Sequence, residues 1–339
     1  TTIGEICRAG ADGVIVQDLG VARAIRQMAP SLPLHASTQM AVHNRQGVEF
    51  LAEQGFARVV LAREMRFDEI ARCAGLGAEL EVFVHGALCV SCSGQCLMSS
   101  MIGGRSGNRG LCAQPCRMKY RTGGREGYFL STRDLCGLPE LSAYAQAGVD
   151  SLKIEGRLKR PEYVAATALA YRGALDALQN GAPFDVAHAE VELAQMFNRG
   201  GFTRGYGAGV RDDRLMFAER PNHMGVEIGR CKRRGEIALS APVHAQDVLA
   251  LRRGNTDIPV KAATADTSMQ LREAQAGDAL VRLVSREQML RMAERFTGEH
   301  KKFPVSMRLR LNTSAPAALE ISDGTHAVQV LGETVQAAR

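Results

Sequence analysis

Five of the nine cysteines in this sequence of 339 residues fall within residues 81–120. They are Cys89, Cys92, Cys96, Cys112 and Cys116, so the spacing is C-x2-C-x3-C followed by C-x3-C. Glycine, serine and arginine surround them, whereas buried structural cysteines usually lie in apolar runs. Thiolates that recur on a loop of this composition are typical of metal ligands. The sequence therefore predicts a metal site in this segment.

Four interpretations of this segment can be compared. A complete set of disulfides does not fit an odd number of cysteines. Structural zinc usually has two C-x2-C pairs, and only Cys89 and Cys92 have that spacing. An iron–sulfur cluster needs four cysteines and tolerates irregular spacing. The spacing favours iron–sulfur, while zinc and a set of small buried side chains stay open as alternatives.

The residues before the cysteines predict a strand, since Leu80, Val82 and Val84 alternate with other side chains. Similar β-rich segments recur along the first half of the sequence, and segments with helical apolar spacing separate them. The predicted strands are Gly13–Gln17, Leu32–Ala36, Arg58–Ala62, Leu80–His85 and Asp150–Glu155. The predicted helices between them include Ala41–Gln54 and Met65–Ala74. This alternation predicts an α/β fold with a parallel sheet and helices outside it.

The second half of the sequence has a different pattern. It predicts two helices, Pro161–Leu178 and Val186–Phe197, and then a glycine-rich loop or lid at Asn198–Gly209. Short β segments follow at Gly225–Cys231, Glu236–Leu239, Asp247–Leu251 and Ala279–Leu283, and they predict a small β-barrel. A charged helix near Arg286–Arg295 precedes strands Ser306–Leu311 and Ala317–Ile321. We therefore expect domains at 1–210 and 211–296, and a linker with the start of a further β module at 297–339.

Composition limits the kinds of function to consider. The sequence has 45% hydrophobic and 23% charged residues, and no apolar run reaches the length of a membrane span. A net charge of +6 permits binding to nucleic acid without requiring it. Tryptophan is absent and aromatic residues make up 5%, so an extensive base-stacking surface is not expected.

The segment EVFVHGALCVSCSGQC, Glu81–Cys96, resembles the signature of the collagenase-like peptidase family U32. Further segments resemble the same family on both sides: HASTQ at 35–39, VVLARE at 59–64, STRDL at 131–135, KIEGR at 153–157 and NRGGFTRGY at 198–206. The runs GGRSGNRGLCAQPCR and PNHMGVEIG resemble the long branch of the family, which is similar to 23S ribosomal RNA cytidine hydroxylases. The resemblance extends over nearly the whole chain.

The resemblance implies a (β/α)8 TIM-like barrel whose first three strand–helix units would precede this sequence. We therefore expect a fragment of a longer chain. Active sites of such barrels lie at the carboxyl ends of the strands, where His35, Gln39, Arg63, His85, Glu155 and Arg157 are expected. In this interpretation His85, Glu155 and Arg157 are catalytic, and His35, Gln39 and Arg63 bind substrate. Cys89 and Cys96 match the fixed cysteines of the family signature, and Cys112 and Cys116 form the adjacent C-x3-C pair. We expect these four to bind a cluster, most simply 4Fe–4S. Cys92 is left out, and Cys136 is a spare candidate ligand.

A basic run lies among the cysteines, with no acidic residue between Arg105 and Arg125. Guanidinium groups bind phosphates and carboxylates through paired hydrogen bonds. We expect Arg105, Arg109 and Arg117 to hold RNA phosphates or a small anionic co-substrate. A solvated, flexible loop is the alternative interpretation.

Three classes of function remain after these steps. The family name implies a peptidase, but neither an H-E-x-x-H helix motif nor a G-x-S-x-G motif occurs in the sequence. The long branch implies a cytoplasmic iron–sulfur enzyme that hydroxylates a cytidine or uridine base in RNA, with prephenate as the hydroxyl donor. Short family members imply a cluster-bearing partner in ubiquinone-ring hydroxylation. The long-branch segments and the basic loop favour the RNA base hydroxylase.

Overall fold

The strand predicted before the cysteines lies at the centre of a sheet in a computed structural model, which describes residues 2–209, 215–298 and 304–336. The chain divides into two units, residues 1–292 and 293–339. In residues 2–209 the strands are Val14–Val16 (β1), Leu34–Ala36 (β2), Arg58–Val60 (β3), Glu79–Ala87 (β4), Tyr120–Thr122 (β5), Arg125–Gly127 (β6), Asp134–Cys136 (β7), Ser151–Ile154 (β8) and Phe202–Thr203 (β9).

Helices alternate with these strands. The α-helices are Thr2–Arg8 (α1), Leu19–Met28 (α2), Arg45–Glu53 (α3), Phe67–Ala71 (α4), Met98–Gly103 (α5), Leu141–Gln146 (α6), Pro161–Asn180 (α7) and Val186–Met196 (α8). Single turns of 3-10 helix lie at Thr38–Met40, Gly107–Arg109, Pro115–Arg117 and Leu138–Glu140. Predicted helix Ala41–Gln54 begins later than expected, because Asn44 caps α3 by accepting a hydrogen bond from the Gly47 amide.

The main sheet is mixed. Strands β1, β2, β3 and β4 are parallel neighbours in chain order, and β8 also pairs with β4 in parallel. The five strands predicted in this half of the chain are therefore confirmed, as is the α/β class. Strand β7 pairs antiparallel with the carboxyl end of β4, and β9 runs parallel to β7. Strands β5 and β6 form a separate antiparallel hairpin.

Burial explains why this sequence forms these elements. Leu80, Val82 and Val84 are each less than 5% exposed and belong to the hydrophobic core formed with the helices. The opposite face of β4 carries Glu81 and Phe83. Burial of such side chains contributes about 1.5–3 kcal/mol each. The alternation read from the sequence thus fixes which face of β4 meets the helices.

Asn198–Gly209, expected as a loop or lid, is held in place on the sheet. Part of it forms strand β9, and two arginines in it make ion pairs: Arg199 with Asp134 and Arg204 with Glu190. These long-range bonds anchor the segment, and most of it is loop, as predicted.

The second sheet of the larger unit is antiparallel and has six strands. They are Val226–Arg233 (β10), Glu236–Leu239 (β11), Val248–Arg253 (β12), Thr256–Val260 (β13), Ser268–Gln270 (β14) and Ala279–Val284 (β15). Their order is β13-β12-β15-β10-β11-β14, and they enclose a second apolar core. The four predicted strands are present, while β13 and β14 were not predicted. Helix Arg286–Ala293 (α9) follows.

The smaller unit contains one antiparallel sheet of three strands: Ser306–Arg310 (β16), Pro316–Ser322 (β17) and Ala327–Thr334 (β18). The sequence predicted the first two. None of the helices in the described ranges is both long and apolar enough to cross a membrane.

Candidate functional site

The cysteine loop, residues 88–119, begins where β4 ends. All five of its cysteines are free thiols; Cys89 and Cys92 are exposed and the other three are partly buried. Burial raises the pKa of the Cys116 thiol, Arg117 opposes this, and the charges of Cys89, Cys112 and Cys96 raise it further. Charges act on one another only over short distances. Cys89, Cys96 and Cys112 thus lie on the same loop as Cys116 and within electrostatic reach of it.

The donors that this loop offers are thiols. Among the described residues, no three His, Cys, Asp or Glu side chains are close enough to hold one metal ion. A cluster of several irons separates its four thiolates more widely than one ion does. The Gln114 amide donates a hydrogen bond to Cys112 Sγ at 3.3 Å, the kind of contact that tunes a cluster ligand. These four residues could hold an iron–sulfur cluster.

The two remaining cysteine candidates have other surroundings. Cys92 lies near Tyr206, whose pKa is raised by burial and by the charges of Glu64 and Cys92. Cys136 is fully buried in β7, and burial raises the pKa of its thiol to about 12. Cys136 is thus buried within the sheet, whereas Cys92 is exposed on the loop.

The ends of β2 and β3 hold the cysteine loop through Ser93. Glu64 accepts hydrogen bonds from the Ser93 amide at 2.8 Å and from Ser93 Oγ at 2.9 Å, and Arg63 Nε donates to the same hydroxyl at 3.2 Å. Gly94 packs on Gln39, since a Cβ at Gly94 would lie 2.7 Å from the Gln39 carbonyl oxygen. The predicted residues Gln39 and Arg63 thus position the loop.

Arg117 lies inside the protein, in contrast to the rest of the basic run. Its guanidinium donates to Ser131 Oγ at 2.8 Å, to Thr132 Oγ1 at 2.9 Å, to the Thr132 carbonyl and to the Leu88 carbonyl at 3.0 Å. Burial lowers the pKa of Arg117, and so does the charge of Arg199. These contacts make partly buried Arg117 an anchor of the cysteine loop.

Arg105 and Arg109 are exposed on the loop, as expected for phosphate contacts. Lys119 and Arg121 are neutralised by Glu126 of the β5–β6 hairpin, a carboxylate just beyond the run considered from the sequence. The uncompensated surface charge is therefore smaller than the sequence suggested.

His85 is 1% exposed and stands at the end of β4 among aromatic rings. Its ring centroid lies 5.5–5.9 Å from those of Phe202, Tyr171 and Tyr163. The Tyr171 hydroxyl is 3.5 Å from Nδ1, and buried Nε2 has no hydrogen-bonding partner. Burial, assisted by the charge of Lys159, lowers the pKa of His85 to about 3. His85 is therefore neutral at physiological pH.

Glycine is required beside His85. Gly86 has φ +103°, and a Cβ there would lie 2.3 Å from the Glu155 carbonyl oxygen. The Glu155 amide also donates to the His85 carbonyl at 2.8 Å. This close approach of β4 and β8 places predicted residues His85 and Glu155 side by side along the backbone.

Glu155 and Arg157 connect β8 to the cysteine loop. Glu155 Oε1 accepts from the Arg157 amide at 2.7 Å, and Arg157 donates to the Gly110 carbonyl. Arg157 is exposed, so its guanidinium remains accessible beside the loop. The geometry assigns both residues a positioning contact.

Sequence reasoning singled out His85 but missed four residues near it: Lys159, Asp134, Arg199 and Tyr163. We call these five residues the Lys159 cluster. Asp134 is 1% exposed and accepts from Arg199 Nη1 at 2.5 Å. Lys159 Nζ lies 2.7 Å from the centroid of Phe197 and 5.5 Å from that of Tyr163. Burial lowers the pKa of Lys159 to about 7, with Asp134 acting in the opposite direction. Asp134 and Arg199 lie within segments that resemble the family, and Lys159 lies two residues after a third such segment. This position in or beside the family segments was the sequence signal that could have identified them.

His35 belongs to a different group of charges. Burial lowers its pKa, as does Arg58, while Glu81 and Glu79 raise it. Glu81 accepts from Lys153 Nζ at 2.7 Å and pairs with Arg58 at 3.2 Å. The groups that act on His35 include no cysteine, so the structure does not place this predicted substrate-binding residue with the thiols.

An α/β sheet whose central strand leads into a loop with five free thiols, beside buried charged groups, defines a thiol-rich α/β protein. The sequence model of peptidase family U32 matches residues 1–216, and the chain belongs to this family.

Curated relatives carry names of two kinds. The chain is 35% identical over 268 residues to 23S rRNA 5-hydroxycytidine C2501 synthase of Escherichia coli, covering 73% of this chain and 40% of the relative. It is 37% identical over 179 residues to tRNA hydroxylation protein P1 of Bacillus subtilis, 49% of this chain and 42% of the relative. It is 35% identical over 202 residues to a collagenase of Porphyromonas gingivalis, 52% and 48% respectively. The chain thus spans about half or less of these relatives. No solved structure matches it significantly.

Proposed function

We propose that the protein is an iron–sulfur enzyme that hydroxylates a cytidine or uridine base in ribosomal or transfer RNA. The observation that carries the proposal is the gathering of Cys89, Cys96, Cys112 and Cys116 as free thiols on one loop. The names of the Escherichia coli and Bacillus subtilis relatives support RNA hydroxylation.

In this proposal the four cysteines hold the cluster, taken as 4Fe–4S, which when bound supplies electron transfer or a Lewis-acidic iron. The chain's own residues do the remaining work. Ser93, held by Glu64, fixes the loop, and Arg117 fixes it to Thr132. Neutral His85 accepts a hydrogen bond through Nε2. Lys159, with a pKa of about 7, can take up or release a proton at neutral pH.

RNA would reach the site across the exposed part of the loop. Arg105 and Arg109 are placed to contact phosphates there, and such contacts weaken as salt increases. The hydroxyl donor would be a small anion, with prephenate as our candidate. Arg157, exposed beside Gly110, is placed between the loop and β8 to orient a substrate.

For the architecture, we propose that residues 1–210 contribute five strand–helix units to a (β/α)8 TIM-like barrel. Five parallel neighbouring strands with helices between them support this. We further propose residues 211–296 as a small β-barrel domain, residues 297–339 as the linker and start of a further β module, and a cytoplasmic location.

The collagenase relative keeps a peptidase as the second candidate. A cysteine or serine peptidase needs a nucleophile hydrogen-bonded to a histidine. Among the described residues, no cysteine or serine side chain makes such a bond; His85 contacts Tyr171 instead. The geometry therefore favours the hydroxylase.

The test begins with iron and sulfide content and visible absorption of the anaerobically purified full-length protein. We expect about four irons and four sulfides per chain, lost in Cys89→Ser and Cys112→Ser and retained in the loop control Cys92→Ser. Nucleosides from ribosomal and transfer RNA are then compared by mass spectrometry in cells with and without the gene. A hydroxylated pyrimidine that disappears with the gene is the expected result. Bound zinc, or unchanged RNA together with gelatin cleavage, would overturn the proposal.

A further inference from the structure

Charge is unbalanced in the Lys159 cluster. Arg199 of the cluster and nearby Arg117 are both positively charged, and both lower the pKa of Lys159. The carboxylates that act on Lys159 are Asp134 and Glu155. Asp134 is already paired with Arg199, and in the described part of the chain neither carboxylate lies within ion-pair distance of the Lys159 ammonium. A partly buried cation without a paired anion is costly unless a ligand supplies one.

Three polar atoms in the cluster have no hydrogen-bonding partner among the described residues. Asp134 Oδ2 and His85 Nε2 are buried and unpaired. Lys159 Nζ faces only the aromatic rings of Phe197 and Tyr163. Buried polar groups are paired in the great majority of proteins, and groups left unpaired often belong to functional sites. The cluster therefore offers one donor and two acceptors to a ligand.

We propose that the Lys159 cluster binds a small hydroxycarboxylate. The ligand's carboxylate pairs with the Lys159 ammonium, and its hydroxyl donates to Asp134 Oδ2 or to His85 Nε2, which accepts when the imidazole proton is on Nδ1. An RNA phosphodiester supplies acceptor oxygens but no donor, so it satisfies only part of the site. The inference rests on the proposed function, for which it names the class of the anionic co-substrate and the residues that hold it.

Binding of a carboxylate at this site is coupled to protonation of Lys159. Burial holds the pKa of Lys159 at about 7; Asp134 and Glu155 raise it, and Arg199 and Arg117 lower it. His85 stays neutral and Tyr163 stays protonated, since burial raises the pKa of Tyr163. At pH 8 only about one amine in ten is charged in the free protein, by the ordinary titration relation. A bound carboxylate raises this pKa, so the protein takes up close to one proton at pH 8 and almost none at pH 6.

The experiment is isothermal titration calorimetry of the full-length protein with malate, in buffers of different ionisation enthalpy at pH 6 and pH 8. Succinate, which lacks the hydroxyl, and inorganic phosphate are the comparison ligands. We expect saturable binding of malate, weaker binding of both comparison ligands, and proton uptake only at pH 8. Lys159→Met should weaken the binding of malate by at least about tenfold, which corresponds to the loss of one charge-assisted hydrogen bond. Lys159→Arg should bind without proton uptake, because arginine stays charged.

Lys119→Met is the matched control, since Lys119 is exposed on the hairpin and paired with Glu126. Absence of malate binding would overturn the inference, as would equal effects of Lys159→Met and Lys119→Met, or phosphate binding as tightly as malate. The measurement does not use RNA. Malate binding with unchanged RNA would refute the hydroxylase alone, and hydroxylation without malate binding would refute this site alone.

Discussion

Replacing Gly86 by alanine should destabilise the larger unit, because the backbone of Gly86 is left-handed and lies against the Glu155 carbonyl. Gly86 has φ +103°, a conformation that costs an alanine about 1–3 kcal/mol. The new Cβ would also lie 2.3 Å from the Glu155 carbonyl oxygen and 3.1 Å from its carbonyl carbon. Both are backbone atoms, so β8 must move away from β4. That movement weakens the hydrogen bond from the Glu155 amide to the His85 carbonyl, worth about 0.5–1.5 kcal/mol.

The sum is a loss of about 2–4 kcal/mol in the free energy of unfolding. With a denaturant dependence of about 3 kcal/mol per molar urea, the midpoint should fall by roughly 1 M. Circular dichroism during urea unfolding measures it. Gly123→Ala is the control, because Gly123 also has a positive φ, +53°, but no atom lies within 4 Å of its added Cβ. It should cost only about 1 kcal/mol. Equal midpoints for the two variants would refute the argument from close approach.

Three further predictions concern charge. Asp134→Asn should lower the free energy of unfolding by about 3–5 kcal/mol, measured by urea unfolding, because it leaves Arg199 buried without its anion; a loss below 1 kcal/mol would contradict this. The pKa of Glu81 is lowered, since hydrogen bonding and charge from Lys153 outweigh the opposing effect of burial. A carboxylate with a lowered pKa stabilises the fold at pH values above its unfolded pKa near 4.5, and this stabilisation is lost as the pH falls below that value. The difference in unfolding free energy between wild type and Glu81→Gln should therefore shrink from pH 6 to pH 3, and a constant difference would contradict this. Arg109→Ala should reduce the salt dependence of RNA binding by about 0.7 in the log–log slope, measured by fluorescence anisotropy, and an unchanged slope would remove Arg109 from the interface.

The fold was predictable where the chain repeats a local pattern. The alternation around Leu80 located β4, and proline at the first position of α7 located the start of that helix, which ends at Gly181 with φ +62°. Strand β14 was missed, because a strand of three residues leaves too short an alternation to read. Strand β7 was placed within a longer segment, but its antiparallel pairing with β4 depends on contacts distant in sequence.

The residues of the candidate site also fall into those predictable from a local pattern and those that depend on contacts distant in sequence. The thiols could be selected from spacing and resemblance, because all four lie on one loop. Lys159 and Arg199 could not, since their importance depends on burial beside Asp134, which is brought to them by a different strand. His85 was singled out from its position before Gly86, but its isolation from hydrogen-bonding partners is a property of the fold. The local sequence therefore identifies the candidate cysteine ligands, whereas long-range packing determines the protonation states of Lys159 and His85.

Arg117 shows how one residue joins the two parts of the site. It directly follows Cys116, and it bonds the carbonyl of Leu88, the residue before Cys89. It also bonds Thr132 on the segment that leads into β7, two residues before Asp134. Arg117 therefore ties both ends of the thiol-bearing segment to the chain that leads into the strand carrying Asp134. Lysine cannot replace Arg117 in this role, because an ammonium has three donors around one atom and cannot span acceptors on both segments.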